Sequence, residues 1–235
     1  MFVGHFGIGL GCKRVAPRVS LGTWFLAVQF LDLVWPFFLL LGWEHVRITP
    51  GYTRMNPLDF YDYPWTHSLI GALAWAGGFA LVYRLFHRQP GPDRRRVPLL
   101  LGAGVLSHWV LDFVVHAPDL PVLPKTGPYV GLGLWNYPVL EIAVELALYV
   151  VGAALYLRAT RARDAAGRFG LWALLLVLGA IWLSSIFGPP PPDEKTLAWV
   201  ALAQWLFVAW GYWVDRHRVD RHREARGVGP AELKG

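Results

Sequence analysis

The chain has 235 residues, of which 55% are hydrophobic and only 16% are charged, and it contains one cysteine. Soluble domains usually carry nearer a quarter of charged residues, so the composition argues against an ordinary cytosolic enzyme. It also excludes a disordered chain and a disulfide-stapled secreted module. The formal net charge of +6 is more typical of loops facing the cytoplasm, in a chain this apolar, than of nucleic-acid binding. The composition therefore predicts a polytopic membrane protein and disfavours nucleic acid as a partner.

Six apolar stretches are long enough to cross a bilayer, which takes about 20 helical residues each. They lie near 20–42, 64–86, 97–116, 136–158, 169–187 and 196–214. The first twelve residues are apolar but too short to span, and their basic residues follow rather than precede them, unlike a signal peptide. We therefore predict an all-α, polytopic integral membrane helix bundle. Residues 1–214 would form one transmembrane domain with six spans and an N-terminal half-helix, of the kind that lines a polar cavity.

The basic residues predict the topology. If the segment 13–18 faces the cytoplasm, all but four of the 22 Lys and Arg lie inside or at the inner edge. The four outer ones are Arg47, Arg54, Lys125 and Lys195. This asymmetry follows the positive-inside rule and predicts a protein of a bacterial-type inner membrane with both termini in the cytoplasm. The basic segment 215–235 is interpreted as a cytoplasmic tail that anchors this topology, with membrane lipid as the general partner.

Seven ionisable residues interrupt the apolar spans. They are Asp32, His67, His108, Asp112, His116, Glu141 and Glu145. A charge in hydrocarbon costs several kcal/mol unless it is paired, bound to a metal or hydrated. His108, Asp112 and His116 recur at i, i+4 and i+8, so they are expected to share one helix face.

The depths of these side chains can be compared. A helical rise of about 1.5 Å per residue places six of these groups, all but His116 at the outer edge, between about 5 and 15 Å below the outer surface. His5, on the half-helix, would rise about 12 Å from the inner edge. All eight can therefore meet in one cavity in the outer half of the membrane. Imidazole and carboxylate are ligands of zinc and other first-row divalent metals, and Asp112 could bridge two ions, as in phosphoester hydrolysis.

Other interpretations remain open from the residues alone. Intramembrane acids and histidines also suit a small transporter or a proton or metal relay, or a polar cluster that specifies helix pairing. His116 and Glu141, near the outer edge, have interfacial or structural roles as alternatives. Thr66, His67 and Ser68 do not predict a hydroxyl–histidine pair, because adjacent residues on a helix do not face each other.

A family resemblance rests on an ordered set of motifs over about the first 150 residues. The motifs are GHFGIG near the start, Asp32 within a span, WTHS with His67, and SHWVLD with His108 and Asp112. They resemble the YdjM-like family of predicted inner-membrane metal-dependent hydrolases, which is distantly similar to zinc-dependent phospholipase C. The resemblance implies that Asp32, His67, His108 and Asp112 surround one metal, with Asp112 bridging to a second held partly by His5.

The phospholipase pattern extends further along the chain. In that pattern another histidine follows the HxxxD element, and His116 fills this place here. An HxxxE pair comes later in the pattern. Glu145 fills the place of its glutamate, whereas Glu141 stands where its histidine is expected. The resemblance thus implies a metal-dependent hydrolase of phosphoester, lipid-like substrates, with zinc as the expected metal. The expected metal ligands are His5, Asp32, His67, His108, Asp112 and His116. The expected catalytic residues are Asp112 and Glu145, the latter as a ligand or general base.

Overall fold

The computed structural model describes residues 1–87 and 91–221, and most of them are helical. The helices are α1 (Val3–Cys12), α2 (Leu21–Val28), α3 (Phe30–Leu40), α4 (Leu69–Phe86), α5 (Asp93–Val115), α6 (Pro138–Ala159), α7 (Ala165–Phe187), α8 (Glu194–Leu202) and α9 (Gln204–Arg216). Antiparallel two-stranded ladders pair β1 (His45–Ile48) with β2 (Leu58–Asp62), β3 (Leu120–Leu123) with β4 (Thr126–Val130), and β5 (Thr160–Ala162) with β6 (Arg218–Asp220). The predicted all-α bundle is confirmed, and the ladders are short additions in its loops.

The long helices are those of a multi-pass membrane protein. Each of α4 to α7 is long and apolar enough to cross a bilayer, and α8 with α9 forms a further span over Glu194–Arg216. Large apolar side chains such as Leu85, Val139 and Leu176 are exposed on the outside of these helices. Such surfaces are stable only against lipid. We call the end of the bundle that carries β1–β4 (residues 41–68 and 116–137) the hairpin end, and the end that carries β5 and β6 the tail end.

The span predicted near 20–42 is broken rather than continuous. Helices α2 and α3 meet at an angle of 56° across the buried residue Gln29. One residue earlier, the carbonyl of Val28 accepts a hydrogen bond from Nδ1 of His108 (2.8 Å). A side chain that takes a carbonyl out of the helical ladder is a recognised cause of a kink. The break coincides with this contact between helices, and no proline or glycine lies at the bend.

Helix α1 is the half-helix that the sequence predicts. Its ten residues extend about 15 Å, half of the hydrocarbon thickness, and it packs along α6. Two glycines allow this close approach. A Cβ added to Gly7 would lie 2.5 Å from the carbonyl oxygen of Leu148, and one added to Gly152 would overlap the carbonyl of Gly7.

Replacing Gly152 with alanine is expected to lower the free energy of unfolding by about 1–3 kcal/mol, because the new methyl group forces α1 away from α6. The quantity is measurable by denaturant titration in detergent micelles. Gly179→Ala is the matched control, since its Cβ meets no atom within 4 Å and alanine is the better helix former. Equal destabilisation of the two variants would contradict the packing argument.

Two other boundaries differ from the prediction. Helix α4 begins at Leu69, so the first residues of the span predicted near 64–86 form a turn, which ends at the N-cap Ser68. The segment predicted as a tail is partly packed: α9 continues to Arg216, and Arg218 is buried and donates to the carbonyl of Gly167 (2.8 Å). Residues 222–235 of that segment lie outside the described residues.

Candidate metal centre

The imidazole of His108 is oriented by the break in the first span. Its Nδ1 lies 2.8 Å from the carbonyl oxygen of Val28, so this nitrogen carries the proton. Its Nε2 is buried without a hydrogen-bond partner among the described residues. This Nε2 faces Oδ2 of Asp112 (3.1 Å) and Oδ1 of Asp32 (3.5 Å). A lone pair between two carboxylates is repelled unless a cation lies between them, and that cation is either a second proton or a metal ion.

A chain of hydrogen bonds orients the imidazole of His67 as well, again through its Nδ1. Its Nδ1 lies 2.7 Å from the hydroxyl of Thr66, which lies 2.6 Å from Oε2 of Glu44. Oε1 of Glu44 accepts two backbone N–H groups, from Trp65 (2.7 Å) and Thr66 (2.8 Å). An ionised carboxylate only accepts, so Thr66 donates to Glu44 and accepts from Nδ1–H of His67. The lone pair of Nε2 in His67 therefore points inward.

Glu44 is fully buried, although it lies outside the spanning helices. Burial raises the pKa of its carboxyl group, and the hydrogen bonds from Thr66 and the neighbouring N–H groups act in the opposite direction. Burial is the larger effect, so the pKa of Glu44 is raised overall, and its oxygens still satisfy three converging donors.

The distances between the inward-facing atoms fit one metal ion. Nε2 of His67 lies 3.4 Å from Oδ1 of Asp32 and 3.8 Å from Oδ2 of Asp112. Together with the His108 distances, these contacts range from 3.1 to 3.8 Å. Three of the donors, from Asp32, His67 and His108, all lie within 4.8 Å of one another. A tetrahedral zinc ion with ligand bonds near 2.0–2.2 Å separates its ligand atoms by about 3.3–3.6 Å, so these three residues could hold a divalent metal, with Asp112 beside them.

A second group of ligands adjoins the first and shares His108 with it. Single donor atoms of His5, His108 and Asp112 lie within 4.8 Å of one another, as do those of Asp32, His67 and His108. Nε2 of His5 lies 3.2 Å from Oδ1 of Asp112, and its ring stacks on that of His108 at 3.8 Å. Oδ1 of Asp112 also lies 3.0 Å from the amino group of Met1. The two oxygens of Asp112 thus face different ligand groups, as a bridging carboxylate requires.

The cluster lies deep but is open on one side. His5 and His108 are fully buried and Asp112 is 3% exposed, whereas the side chain of Asp32 is 24% exposed. His108 and Asp112 lie seven and three residues before Val115, the last residue of α5. These positions are about 10 and 5 Å from the hairpin end of the helix. The cluster therefore lies in the half of the bundle nearer the hairpin end, with Asp32 at its accessible edge.

Glu145 does not face the ligand groups. Its carboxylate accepts the backbone N–H groups of Phe2 and Gly4 (3.1 Å for Gly4) and the indole N–H of Trp182 (2.8 Å). These contacts hold the free N–H groups at the start of α1, as an acidic cap does. Glu145 thus fixes α1, and with it His5, whereas its predicted role as ligand or general base stays a prediction. Glu141, one turn earlier, is also buried and lies outside both ligand groups.

His116 also lies outside both ligand groups. It is the C-cap of α5, and its backbone N–H still donates to the carbonyl of Asp112. Its Nδ1 lies 2.9 Å from Oδ1 of Asp119, and the phenol of Tyr63 lies 3.3 Å from the same nitrogen. Burial raises the pKa of Tyr63, and Asp119 adds to this shift. These contacts occupy Nδ1 of His116, and its role as a metal ligand stays a prediction.

Two contributors were missed by sequence reasoning. Glu44 lies in a predicted loop with no neighbouring motif, so no signal marked it. Thr66 was excluded as a partner of His67 because both were placed on a helix, whereas they lie in the turn before α4, where adjacent side chains can meet.

No family model, curated protein or solved structure matches this chain.

Proposed function

We propose that this protein is a membrane-embedded, metal-dependent hydrolase of phosphoester substrates carried by lipids, with zinc as its metal. The observation that supports this most is the pair of imidazoles, His67 and His108, whose inward nitrogens face shared carboxylates. Their outward nitrogens are held by a backbone carbonyl and by a hydroxyl, the usual outer contacts of metal-binding histidines. The proposal agrees with the activity that the resemblance to YdjM-like hydrolases implies.

Each residue then has a definite task. Asp32, His67, His108 and Asp112 would hold one ion, and Oδ1 of Asp112 with His5 would contribute to a second. A divalent metal supplies Lewis acidity, which polarises a phosphoryl oxygen and brings the pKa of water towards neutrality. Burial of the histidines excludes bulk water from the cluster. The partly exposed edge at Asp32 is the side from which a phosphoryl group would approach.

The location within the bundle favours a lipid-borne substrate. The accessible edge at Asp32 lies on α3, eight residues before its end at Leu40 and therefore about 12 Å below the hairpin end. A phosphoester attached to an acyl chain is confined to the bilayer near this edge, whereas a freely soluble phosphoester is not. We further propose that the hairpin end faces the outside of a bacterial-type inner membrane, with the termini in the cytoplasm.

The proposal is tested by metal analysis followed by turnover. The purified wild-type chain should contain roughly one or two zinc ions by elemental analysis, and His108→Ala should lose them while His116→Ala retains them. Phosphate or phosphorylated headgroup released from phospholipid vesicles should depend on zinc and stop with a chelator. Wild-type protein without stoichiometric metal would overturn the hydrolase proposal and favour a proton relay. Bound metal without turnover on any phosphoester would favour a metal carrier or sensor.

A further inference from the structure

An apolar groove of about 680 Å³ lies on the side of the bundle at the hairpin end. We call it the aromatic groove; it is lined by Phe38, Trp43, Pro64, Trp65, Ile70, Gly71, Ala74, Trp75 and Pro124. Its volume is within the range of small-molecule binding sites. It opens on α4, a span with most of its surface outside the protein core, so the membrane covers it.

The walls of the aromatic groove are ordered and lie at headgroup depth. The indole N–H of Trp75 donates to the carbonyl of Trp65 (3.0 Å), which fixes one wall against the turn before α4. From Ile70 to Trp75 the groove follows α4 for about 8 Å below the hairpin end. Tryptophan is typical of the membrane boundary region, but here the rings line an open groove rather than forming a flat belt. An acyl chain is the apolar group that a bilayer supplies to such a groove.

A cation lies at the mouth of the aromatic groove. Lys125 is at the tip of the β3–β4 hairpin, where Pro124 and Lys125 connect the paired residues Leu123 and Thr126. Its ammonium group lies 5.3 Å from the centre of the Trp65 ring. Its φ of 68° is left-handed, and after a proline this turn position favours glycine or asparagine. Lys125 therefore adopts a backbone conformation that is unfavourable for lysine. Its ammonium group, beside an apolar groove, is complementary to the phosphate of a lipid.

We propose that the aromatic groove binds one acyl chain of an anionic phospholipid, whose phosphate contacts Lys125. This site goes beyond the proposed hydrolase function and does not require the metal. Trp65 faces the groove and His67 faces the metal cluster, from opposite sides of the same turn. The lipid bound here is a resident of the leaflet at the hairpin end.

The headgroup contact is tested by native mass spectrometry of the purified full chain with phosphatidylglycerol and phosphatidylcholine of identical acyl chains. Wild type should retain phosphatidylglycerol preferentially. Lys125→Glu should lower this retention at least about fivefold, since loss of one lysine near a lipid surface alone costs roughly 1 kcal/mol. Lys195→Glu is the control, because Lys195 is an exposed basic residue at the start of α8. Equal retention by Lys125→Glu and wild type would overturn the phosphate contact.

The acyl contact is tested by filling the groove. Ala74→Trp should displace the retained lipid, whereas Leu73→Trp, on the neighbouring exposed position of α4 outside the groove lining, should not. Retention of the same lipid by Ala74→Trp would overturn the groove assignment. Zinc content is measured in each variant and should equal that of wild type. If the protein holds zinc but does not bind lipid, only the lipid site is contradicted. If the protein binds lipid but holds no zinc, only the proposed hydrolase function is contradicted.

Discussion

Replacing Asp112 with asparagine is expected to lower zinc binding strongly, because Asp112 belongs to one ligand group and borders the other. Oδ2 of Asp112 lies 3.1 Å from Nε2 of His108, and Oδ1 lies 3.2 Å from Nε2 of His5. Asparagine has nearly the same shape but loses the charge and offers one oxygen in place of two. The loss should exceed the roughly 10–100-fold that removal of an outer hydrogen-bond partner costs. Zinc content after equilibrium dialysis, and titration calorimetry in detergent, measure it directly.

Asp119→Asn is the matched control for this substitution. Asp119 also lies towards the hairpin end and contacts a histidine, but that histidine is His116, outside both ligand groups. The control should keep wild-type zinc content. If both variants lose zinc equally, the loss reflects general destabilisation of the hairpin end. If Asp112→Asn binds zinc as wild type does, Asp112 cannot bridge the two groups.

Much of the cluster was predictable because the membrane makes polar groups conspicuous. Ionisable residues in apolar spans are costly enough that their positions alone indicate a shared cavity. The spacing of His108 and Asp112 on one helix settles which of them face together, and the half-helix of ten residues accounts for His5 reaching Asp112. The structure brings together His5, Asp32, His67, His108 and Asp112, as the sequence predicts.

Two expected site residues, His116 and Glu145, lie outside both ligand groups. His116 is the C-cap of α5, and its Nδ1 contacts Asp119 in the segment that follows the helix. Glu145 has a spacing that suggests a ligand, but the N–H groups of α1 use its oxygens. Both outcomes depend on where a helix begins or ends, and such boundaries are poorly specified by local sequence.

The break between α2 and α3 depends on contacts from elsewhere in the chain. Apart from Thr23 and Asp32, the residues within seven positions of Gln29 are apolar, and the nearest glycine and proline, Gly22 and Pro36, are each seven residues away. Local sequence therefore favours a continuous helix. The hydrogen bond from His108 to Val28 crosses 80 residues of chain. A contact of this length is invisible to periodicity, although it positions a metal ligand.

The hydrogen bonds that connect Glu44, Thr66 and His67 predict a second large effect on zinc affinity. Thr66→Val preserves the shape of the side chain but removes the hydroxyl that receives Nδ1–H of His67 and donates to Glu44. His67 is then free to rotate or to carry its proton on Nε2, where it cannot bind a metal. We expect zinc affinity to fall about 10–100-fold, and the free energy of unfolding to fall by about 1–3 kcal/mol because buried polar groups lose partners.

Thr66→Ser is the control that separates orientation from packing, since it restores the hydroxyl and omits only a methyl group. It should recover zinc affinity to near the wild-type value, and Glu44→Gln, which weakens the acceptor at the far end of the chain, should give an intermediate loss. A cobalt-substituted protein provides an independent measurement, because its visible absorption changes when an imidazole ligand is lost. Wild-type zinc affinity and an unchanged cobalt spectrum in Thr66→Val would contradict the role of this chain. Orientation by a hydroxyl would then be unnecessary, and burial alone would hold His67 in place.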